Sequence, residues 1–585
     1  MRVLNKYIGH LLLVLLISLL VAGCGSGPAD NGGGGAADDP KILTIATPAE
    51  PKSVLPTLTD SVWESFFTSQ LFVALTEVDY NYNVIPGVAH SWEWDEDSLT
   101  YTFYLRDDVY FHDGRQLTAE DVIWTFKYAM HPDYEGTFFQ YLQSIRGAAD
   151  YREGRADDVE GLSAPDPFTV QVTLAEKDAS FLLYGGSSVY IMPKHYYEPF
   201  VEENGVKALR GSERTLPPVG AGPFRWKEWR PGQWIVLTKN EDFFREEPEV
   251  EGQTAQARLD EVRVRFIPDS DAMYQALKAG DIDLMDGLTA DQFLDALEDP
   301  ELQAHQYPYL YYYQFMFNFR DPKFQDVRVR RAIGHAMNRD QMVETVLQGL
   351  GTVASGGHTH PIRWDYTDEF TQLHPQYDPD RAIALMEEAG WTIEKDDQGN
   401  IVPGAVWTKD GQEFEFEIVT IHEDKVRTDF QQLIQRDLNS LGFRVSLLAL
   451  ESNTFYNDYL VKEPWQTAIA AWRLGGDPGG GYELIFGCTR TPAQNGYNWL
   501  HYCSEGGVIE EKPGRLTELD QAGRKEMDPD RRMEIYREAN EILLRDLPYI
   551  WLAYPDGLLA AKRELQGIAP VHPSAWYTNL WRLAW

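Results

Sequence analysis

The most constraining feature of this sequence is a run near its middle that predicts a strand, a turn and an amphipathic helix. Aromatic and apolar residues fill positions 311–317, as in a buried strand. Farther along, apolar residues recur at i, i+3, i+4, i+7 and i+8, the spacing of one helix face. These residues are Val329, Ala332, Ile333, Ala336 and Met337. Asp326 precedes them and can accept from the free amides of the first turn, so it is the predicted N-cap.

Residues 317–339 resemble the signature of the peptide/nickel-type (family 5) extracellular solute-binding proteins, which are substrate receptors of ABC importers. That signature reads Phe-Asn, then Pro-Phe, then Asp-x-Arg-Val-Arg-Arg-Ala, and ends in Ala-Ile-Asn-Arg. The positions that fit it are Phe317, Asn318, Pro322, Phe324, Asp326, Val327, Arg328, Arg330, Arg331, Ala332, Ala336, Asn338 and Arg339. Two positions depart, because Lys323 separates the Pro from the Phe and Met337 replaces the Ile. Segments 109–126, 191–195 and 219–224 also resemble the family, so the resemblance runs from about Lys41 to the C-terminus.

Length and charge limit the possible classes. A chain of 585 residues exceeds one hydrophobic core, so at least two domains are expected. The net charge of -39 repels nucleic acid and anionic membrane surfaces, so we expect no nucleic-acid partner. Strands and helices alternate along the sequence, which predicts an α/β fold. The resemblance implies a two-lobed fold like that of the periplasmic binding proteins (class II, cluster C type), with three regions and a hinge.

The expected domain organisation combines the targeting signals with the family's discontinuous arrangement. The predicted segments are a lipoprotein signal peptide (1–23), a flexible tether (24–40), domain I in part (41–90), domain II (91–214), domain I in part (215–308), domain III as the second lobe (309–530) and a return to domain I (531–585).

The N-terminus has the features of an export signal. A positive start is followed by an apolar stretch, 8–22, that is too short and too early for a spanning helix. Val21-Ala-Gly-Cys24 then resembles the lipobox of bacterial lipoproteins, in which the signal is cut before the Cys and the Cys is acylated. The alternative is an ordinary signal peptide with an incidental Cys. The Gly-rich residues 25–40 read as a flexible tether.

Two cysteines remain when Cys24 is lipidated. These are Cys488 and Cys503. In an exported protein the environment is oxidising, and an even number of cysteines favours a disulfide over two buried thiols. Neither lies in a Cys-x-x-Cys spacing, so no redox or zinc centre is predicted.

The best candidate binding locus is 465–477, a predicted buried strand that ends in a Gly-rich turn. In the family this segment reads Trp-x-x-Asp-x-x-Asp-Pro, and the Asp three residues after the Trp binds the α-amine of a peptide. Here Gly475 stands three residues after Trp472, in place of that Asp. Asp477 and Pro478 match the Asp-Pro of the pattern, although only one residue, Gly476, precedes them where the pattern has two. Asp477 is expected to serve a turn or a helix cap. The predicted ligand-facing residues are Glu50, Tyr313, Trp364, Trp472, Arg473 and Gly475.

No motif carries a specific catalytic signal. His422-Glu-Asp-Lys-Val426 lacks the second His of a zinc-protease helix. His358 and His360 lie in a Gly-rich segment that is expected to be a solvated loop, with a metal or ligand role as the alternative. A secreted hydrolase stays open, because 91 acidic residues always include some carboxylate pair.

The resemblance therefore implies a substrate-binding lipoprotein of an ABC importer, extracytoplasmic and lipid-anchored, and not an enzyme. We expect a monomer without cofactor or metal that captures a small solute between two lobes and delivers it to permease and ATPase subunits. An oligopeptide is the expected solute, and an oligosaccharide is the alternative because the family's amine-binding Asp is missing.

Overall fold

The computed structural model describes residues 40–568 and 583–585, except for 60, 81, 213–216, 245–257, 463, 495, 504–506 and 509–513. The predicted signal peptide, Cys24 and the tether up to residue 39 lie outside the described residues. Within the described part of the chain, no helix combines the length and the apolar character needed to cross a bilayer.

Buried apolar residues form two large cores, each built from helices packed on strands. The first core contains residues between Leu43 and Tyr307 and takes up Leu559 and later residues. The second core contains residues between Leu310 and Tyr554. We call the parts of the chain around these cores the first lobe and the second lobe. A small third core, which includes Met273, packs beside the first.

The first lobe consists of the elements that precede residue 310. Its strands are β1 (Ile42–Thr47), β2 (Thr76–Val78), β3 (Val84–Pro86), β4 (Ala89–Asp95), β5 (Thr100–Leu105), β6 (Leu162–Asp166), β7 (Thr169–Thr173), β8 (Phe224–Arg230), β9 (Trp234–Lys239), β10 (Glu261–Phe266), β11 (Leu284–Asp286) and β12 (Leu302–Pro308). Its helices are α1 (Val62–Leu71), α2 (Ala119–Met130), α3 (Phe139–Leu142), α4 (Ala148–Arg152), α5 (Lys194–Asn204), α6 (Ser270–Ala279) and α7 (Ala290–Glu298).

The second lobe contains the elements that follow. Its strands are β13 (Tyr311–Phe317), β14 (Gly351–Val353), β15 (Thr408–Lys409), β16 (Gln412–Glu413), β17 (Glu415–Ile421), β18 (Arg444–Leu450), β19 (Thr467–Arg473), β20 (Tyr502–Cys503) and β21 (Gly507–Val508). Its helices are α8 (Val327–Ala336), α9 (Arg339–Val346), α10 (Phe370–Leu373), α11 (Pro379–Glu388), α12 (Lys425–Ser440), α13 (Ser452–Thr454), α14 (Leu460–Lys462), α15 (Gly481–Phe486), α16 (Arg515–Lys525) and α17 (Pro529–Asp546).

One last strand, β22 (Tyr549–Lys562), joins the two lobes. It belongs to a twelve-stranded sheet with the main order β18-β17-β19-β13-β22-β11-β1-β10-β9-β8, and β12 and β14 also pair with β22. The first half of β22 lies antiparallel to β13, and its second half lies antiparallel to β11 and β12. A separate antiparallel sheet has the order β4-β5-β7-β6.

The central run folds as its periodicity predicts. Helix α8 begins after Asp326, whose side chain accepts from the amide of Arg328, and it buries Val329, Ala332 and Ile333. The helical spacing of these apolar residues thus decides which face of α8 packs on the second core.

Tertiary contacts determine where two segments of the chain leave their elements. Helix α1 ends at Leu71, because the next residues pair with other segments: the carbonyl of Val73 accepts from the amide of Ile191. Helix α17 packs in the second core through Tyr536 and Leu543, and the chain contributes to the first core again from Leu559, within β22.

Cys488 and Cys503 are joined by a disulfide in the second lobe. The bond ties the end of α15 to β20, and both residues are buried, which keeps the bond away from solvent.

Candidate functional site

A cavity of about 470 Å³ lies between residues of the two lobes. This volume is within the usual range of small-ligand sites. The first-lobe residues that line it include Gln140, Tyr141, Gln143, Asp178, Ser180 and Tyr184. The second-lobe residues include Arg363, Trp472, Gly475, Glu483, Arg490 and Arg524. Because both lobes supply walls, any hinge motion between the lobes would change the size of the cavity.

The first-lobe wall is built on a π-helical turn, Leu182–Gly186, that presents Tyr184. The ring of Tyr184 stacks on the ring of Tyr141, with centroids 5.5 Å apart and an angle of 17° between the planes. Its hydroxyl reaches the second lobe and donates to the carbonyl of Asp477 at 3.1 Å. Burial raises the pKa of Tyr184, so it stays a neutral donor.

Gly475 faces Tyr184 across the cavity. A Cβ added at Gly475 would lie 2.7 Å from Tyr184 Oη, closer than real Cβ contacts, and 3.4 Å from the carbonyl oxygen of Asp477. A tyrosine of the first lobe therefore occupies the space that a side chain at position 475 would need. The arrangement of the two lobes therefore favours a residue without a side chain at position 475.

Two of the three carboxylates that line the cavity are neutralised by arginines of the second lobe. Asp477 receives two hydrogen bonds from Arg532, at 2.5 and 2.7 Å. Glu483 accepts from Nε of Arg490 at 2.8 Å and from a second nitrogen of the same guanidinium. These pairs set the shape of the second-lobe wall and leave little net charge on it.

The third carboxylate, Asp178, has no such partner. Its Oδ1 accepts from the amide and the hydroxyl of Ser180, at 3.1 and 2.7 Å. The residue is mostly buried, with 8% of its surface exposed to solvent. Among the residues that the structure describes, no basic side chain lies within ion-pair distance of it, and its Oδ2 receives no hydrogen bond.

The arginines of the cavity also differ in whether a carboxylate binds them. Arg363 is buried and binds Asp365 through two hydrogen bonds, at 2.8 and 2.6 Å. Arg524 makes no hydrogen bond with a carboxylate in the described part of the chain. Burial raises the pKa of the nearby Asp520, and the charge of Arg524 offsets only part of that rise. The cavity thus holds one carboxylate and one guanidinium that other side chains do not pair.

Among the predicted ligand-facing residues, Trp472 and Gly475 line the cavity. Trp472 also contacts Tyr497 and Trp499, with ring centroids 5.5 and 6.4 Å away. Arg473, the next residue on β19, points elsewhere, because its guanidinium lies 6.0 Å from the ring centre of Tyr309.

The other three predicted residues are not part of the cavity wall. Glu50 accepts from the indole of Trp229 at 2.7 Å. Tyr313 is buried and packs edge-on against Phe430. Trp364 lies under Arg532, whose guanidinium is 5.2 Å from its ring centre.

His358 and His360 are both buried, so the expectation of a solvated loop was wrong. His358 Nδ1 is 2.6 Å from the hydroxyl of Tyr312, and His360 packs on the ring of Tyr554. Burial, followed by the charge of Arg363, lowers the pKa of both rings, and to about 4 for His360. In the described residues, no three His, Cys, Asp or Glu side chains gather in a way that could hold a metal ion.

Asp477 acts in the turn, as its pattern predicts. Its Oδ1 accepts from the amide of Gly479 at 2.8 Å, and the same carboxylate binds Arg532. Sequence reasoning missed Asp178, Tyr184 and Arg524. The Asp-x-Ser pattern at 178–180 is the one local sequence feature that indicates a turn at this site. The other residues come together only when the two lobes meet, so their spacing in the sequence does not reveal them.

Comparison with known proteins agrees with this architecture. Residues 83–493 match the family described as "Bacterial extracellular solute-binding proteins, family 5 Middle". The oligopeptide-binding protein AppA of Bacillus subtilis is 27% identical over 545 residues, which are 90% of each chain. The dipeptide-binding protein of Escherichia coli is 25% identical over 500 residues, 83% of each chain.

Solved structures show the same two-lobed fold. The AppA protein of Bacillus subtilis in complex with a nonapeptide has a TM-score of 0.69 and 26% identity, covering 93% of this chain and 99% of that one. NikA of Brucella suis in complex with Fe(III)-EDTA has a TM-score of 0.76 and 20% identity, covering 93% and 100%, which supports the fold alone. With the family profile spanning most of the chain, this protein belongs to the family 5 bacterial extracellular solute-binding proteins.

Proposed function

We propose that this solute-binding protein captures a short peptide in the cavity between its lobes and delivers it to the permease of an ABC importer. The observation that carries the proposal is the cavity itself, whose walls come from both lobes. A solute held by both walls favours the closed arrangement, because it contacts the two lobes together only in that state. Closure is then the signal that a permease can read. The protein makes and breaks no bond in this scheme.

A peptide fits the charges of the cavity. Asp178 is a carboxylate without a basic partner, and Arg524 is a guanidinium without a hydrogen-bonded carboxylate, within the described residues. The two termini of a peptide carry the complementary charges, and charge-assisted hydrogen bonds are the strong ones. The names of the relatives support the same class, since they include an oligopeptide-binding and a dipeptide-binding protein.

An oligosaccharide is the second candidate. Aromatic rings of Tyr141, Tyr184 and Trp472 lie on both walls of the cavity. Rings of this kind offer flat apolar faces with a polar edge, which suits the alternating apolar and hydroxyl faces of a sugar. A sugar would leave the charge of Asp178 uncompensated, and we therefore place it second.

Attachment to a membrane through Cys24 is part of the proposal. The support is the lipobox-like Val21-Ala-Gly-Cys24 and the Gly-rich residues that follow it. Replacing the thiol, Cys24→Ser, should move the protein from the membrane to the soluble fraction of the cell. Detection of the variant in the membrane fraction at the level of the unchanged protein would contradict anchoring by this residue.

Ligand class can be tested by thermal unfolding of the full-length protein in detergent, followed through its tryptophan fluorescence. We would compare tripeptides to pentapeptides with oligosaccharides of two to five units. A ligand present at 100 times its Kd adds roughly 2.7 kcal/mol to the free energy of unfolding, a clear shift in Tm. Stabilisation by sugars alone would replace the peptide proposal. Appearance of a cleaved product in a stabilised sample would point instead to a hydrolase.

A further inference from the structure

We propose that Asp178 binds the amino terminus of the peptide ligand, in place of the aspartate that the family carries at the position of Gly475. This inference rests on the proposed function, because it names the group that selects a ligand within the same cavity. Three features of the first-lobe wall support it: the charge of Asp178, the orientation of its carboxylate and the position of Tyr184.

The charge of Asp178 is the first feature. Asp477 and Glu483, the other two carboxylates of the cavity, each bind an arginine, whereas Asp178 meets no basic side chain in the described chain. A mostly buried carboxylate without a cation is costly unless something compensates it. An ammonium group of the ligand supplies that compensation, and a neutral group does not.

The orientation of the carboxylate is the second feature. The amide and hydroxyl of Ser180 both donate to Oδ1 of Asp178, which fixes the side chain in one rotamer. Its Oδ2 receives no hydrogen bond from described residues, and the residue lines the cavity. An ammonium has three N–H donors and no acceptor, so it matches an oriented oxygen that still has its lone pairs.

The position of Tyr184 is the third feature. Its hydroxyl lies 2.7 Å from the place of a Cβ at Gly475, so a side chain there would require Tyr184 to shift. Asp178 and Tyr184 belong to the same short segment of the first lobe, on either side of Phe181. One segment therefore both blocks the family's amine-binding position and brings a carboxylate to the opposite wall.

Contacts beside Asp178 link it to closure of the lobes. The amide of Ala179 donates to the carbonyl of Arg524 in the second lobe, at 2.8 Å. Glu176 forms an ion pair with Lys525 at 2.6 Å. Asp178 therefore lies beside contacts that join the two lobes. An ammonium bound there contacts second-lobe groups only when the lobes are closed, so amine binding favours closure.

The test combines Asp178→Asn with a change in the ligand. Asn keeps an oxygen that can accept from Ser180, and it replaces the charged Oδ2 by a neutral NH2 group that donates instead of accepting. The probes are an equimolar mixture of tripeptides with free amino termini and the same mixture after N-acetylation, titrated into full-length protein. With the unchanged protein, acetylation should weaken binding roughly 10- to 100-fold, the range for a hydrogen bond to a charged group. The D178N variant should bind the free mixture as weakly as the acetylated one.

Asp166→Asn is the matched control. Asp166 lies on the same lobe and accepts from the amide of Phe168, two residues on, as Asp178 does from Ser180, but it is exposed. D166N makes the same change in net charge and should bind both mixtures as the unchanged protein does. If D178N does not fold, Asp178→Ser offers a second neutral side chain for the same measurement.

The outcomes separate the inference from the proposed function. If D178N binds the free mixture as tightly as the unchanged protein and remains sensitive to acetylation, another group binds the amine and the inference is wrong. If neither mixture binds the unchanged protein and an oligosaccharide does, the proposed peptide function itself fails. Loss of the acetylation effect in D178N, with D166N unaffected, supports the assignment.

Discussion

Substituting Gly475 by Ala tests how the two lobes meet at the cavity. The added Cβ would lie 2.7 Å from Tyr184 Oη, so the tyrosine must move away from the second lobe. Its hydrogen bond to the carbonyl of Asp477, at 3.1 Å, is then lost. A lost hydrogen bond that leaves a buried group unsatisfied costs about 1–3 kcal/mol.

This cost should appear in ligand affinity. Tyr184 and Gly475 belong to different lobes, so opening the lobes relieves the overlap while each core stays folded. G475A therefore favours the open arrangement, and about 1–3 kcal/mol corresponds to roughly 5- to 150-fold weaker binding. Calorimetric titration with the tripeptide mixture measures the affinity, and small-angle scattering of the ligand-free protein reports whether its radius of gyration grows.

Tyr184→Phe provides the matched background. Without the hydroxyl, the nearest of the remaining neighbours of a Cβ at position 475 is the Asp477 carbonyl at 3.4 Å, an ordinary contact. G475A should therefore cost little in the Y184F protein, and the two substitutions together should be less harmful than the sum of the single effects. An equal penalty for G475A in both backgrounds would refute the reasoning.

Three further predictions concern stability. Burial raises the pKa of Asp520 from 3.8 to about 7, so the folded protein holds a proton there that the unfolded chain releases. The free energy of unfolding should therefore fall as the pH rises between these values. In urea unfolding followed from pH 4 to 8, D520N should lack this fall. Replacing Cys488 and Cys503 by Ser removes a cross-link with a sequence separation of 15 and should lower the free energy of unfolding by about 3 kcal/mol. Arg532→Met leaves the buried Asp477 unpaired and should cost about 3–5 kcal/mol in the same urea assay, whereas a loss below about 1 kcal/mol would show that water compensates the charge.

Local patterns explain why much of the fold could be predicted. Helix α8 has its stripe of apolar residues and its cap within a dozen positions, so no distant information is needed to place it. Helix α12 has a comparable local pattern, with buried apolar residues between Phe430 and Leu438 and Asp424 as its N-cap. Boundaries are harder to predict where tertiary contacts decide them. Residues after Leu71 leave the helix because other strands and turns take their backbone groups.

The candidate site was harder to predict, for a physical reason. Trp472 and Gly475 could be found because one strand and its turn carry both. Asp178 and Arg524 are far apart in the chain and meet only across the lobes, so no spacing reveals them. The proposed role of Asp178 depends on which other carboxylates of the cavity bind an arginine. These ion pairs can be seen in the structure and not in the sequence.

The length of β22 has a consequence for the order in which the chain folds. This strand lies between β13 and β11, so it is an interior strand of the sheet and serves both lobes. It is also the last long strand in the described chain. Neither lobe can complete its backbone pairing until residues 549–562 are available to pair with β11, β12 and β13. The two lobes are therefore expected to complete their folding together, with the pairing of β22 as a late step that both require.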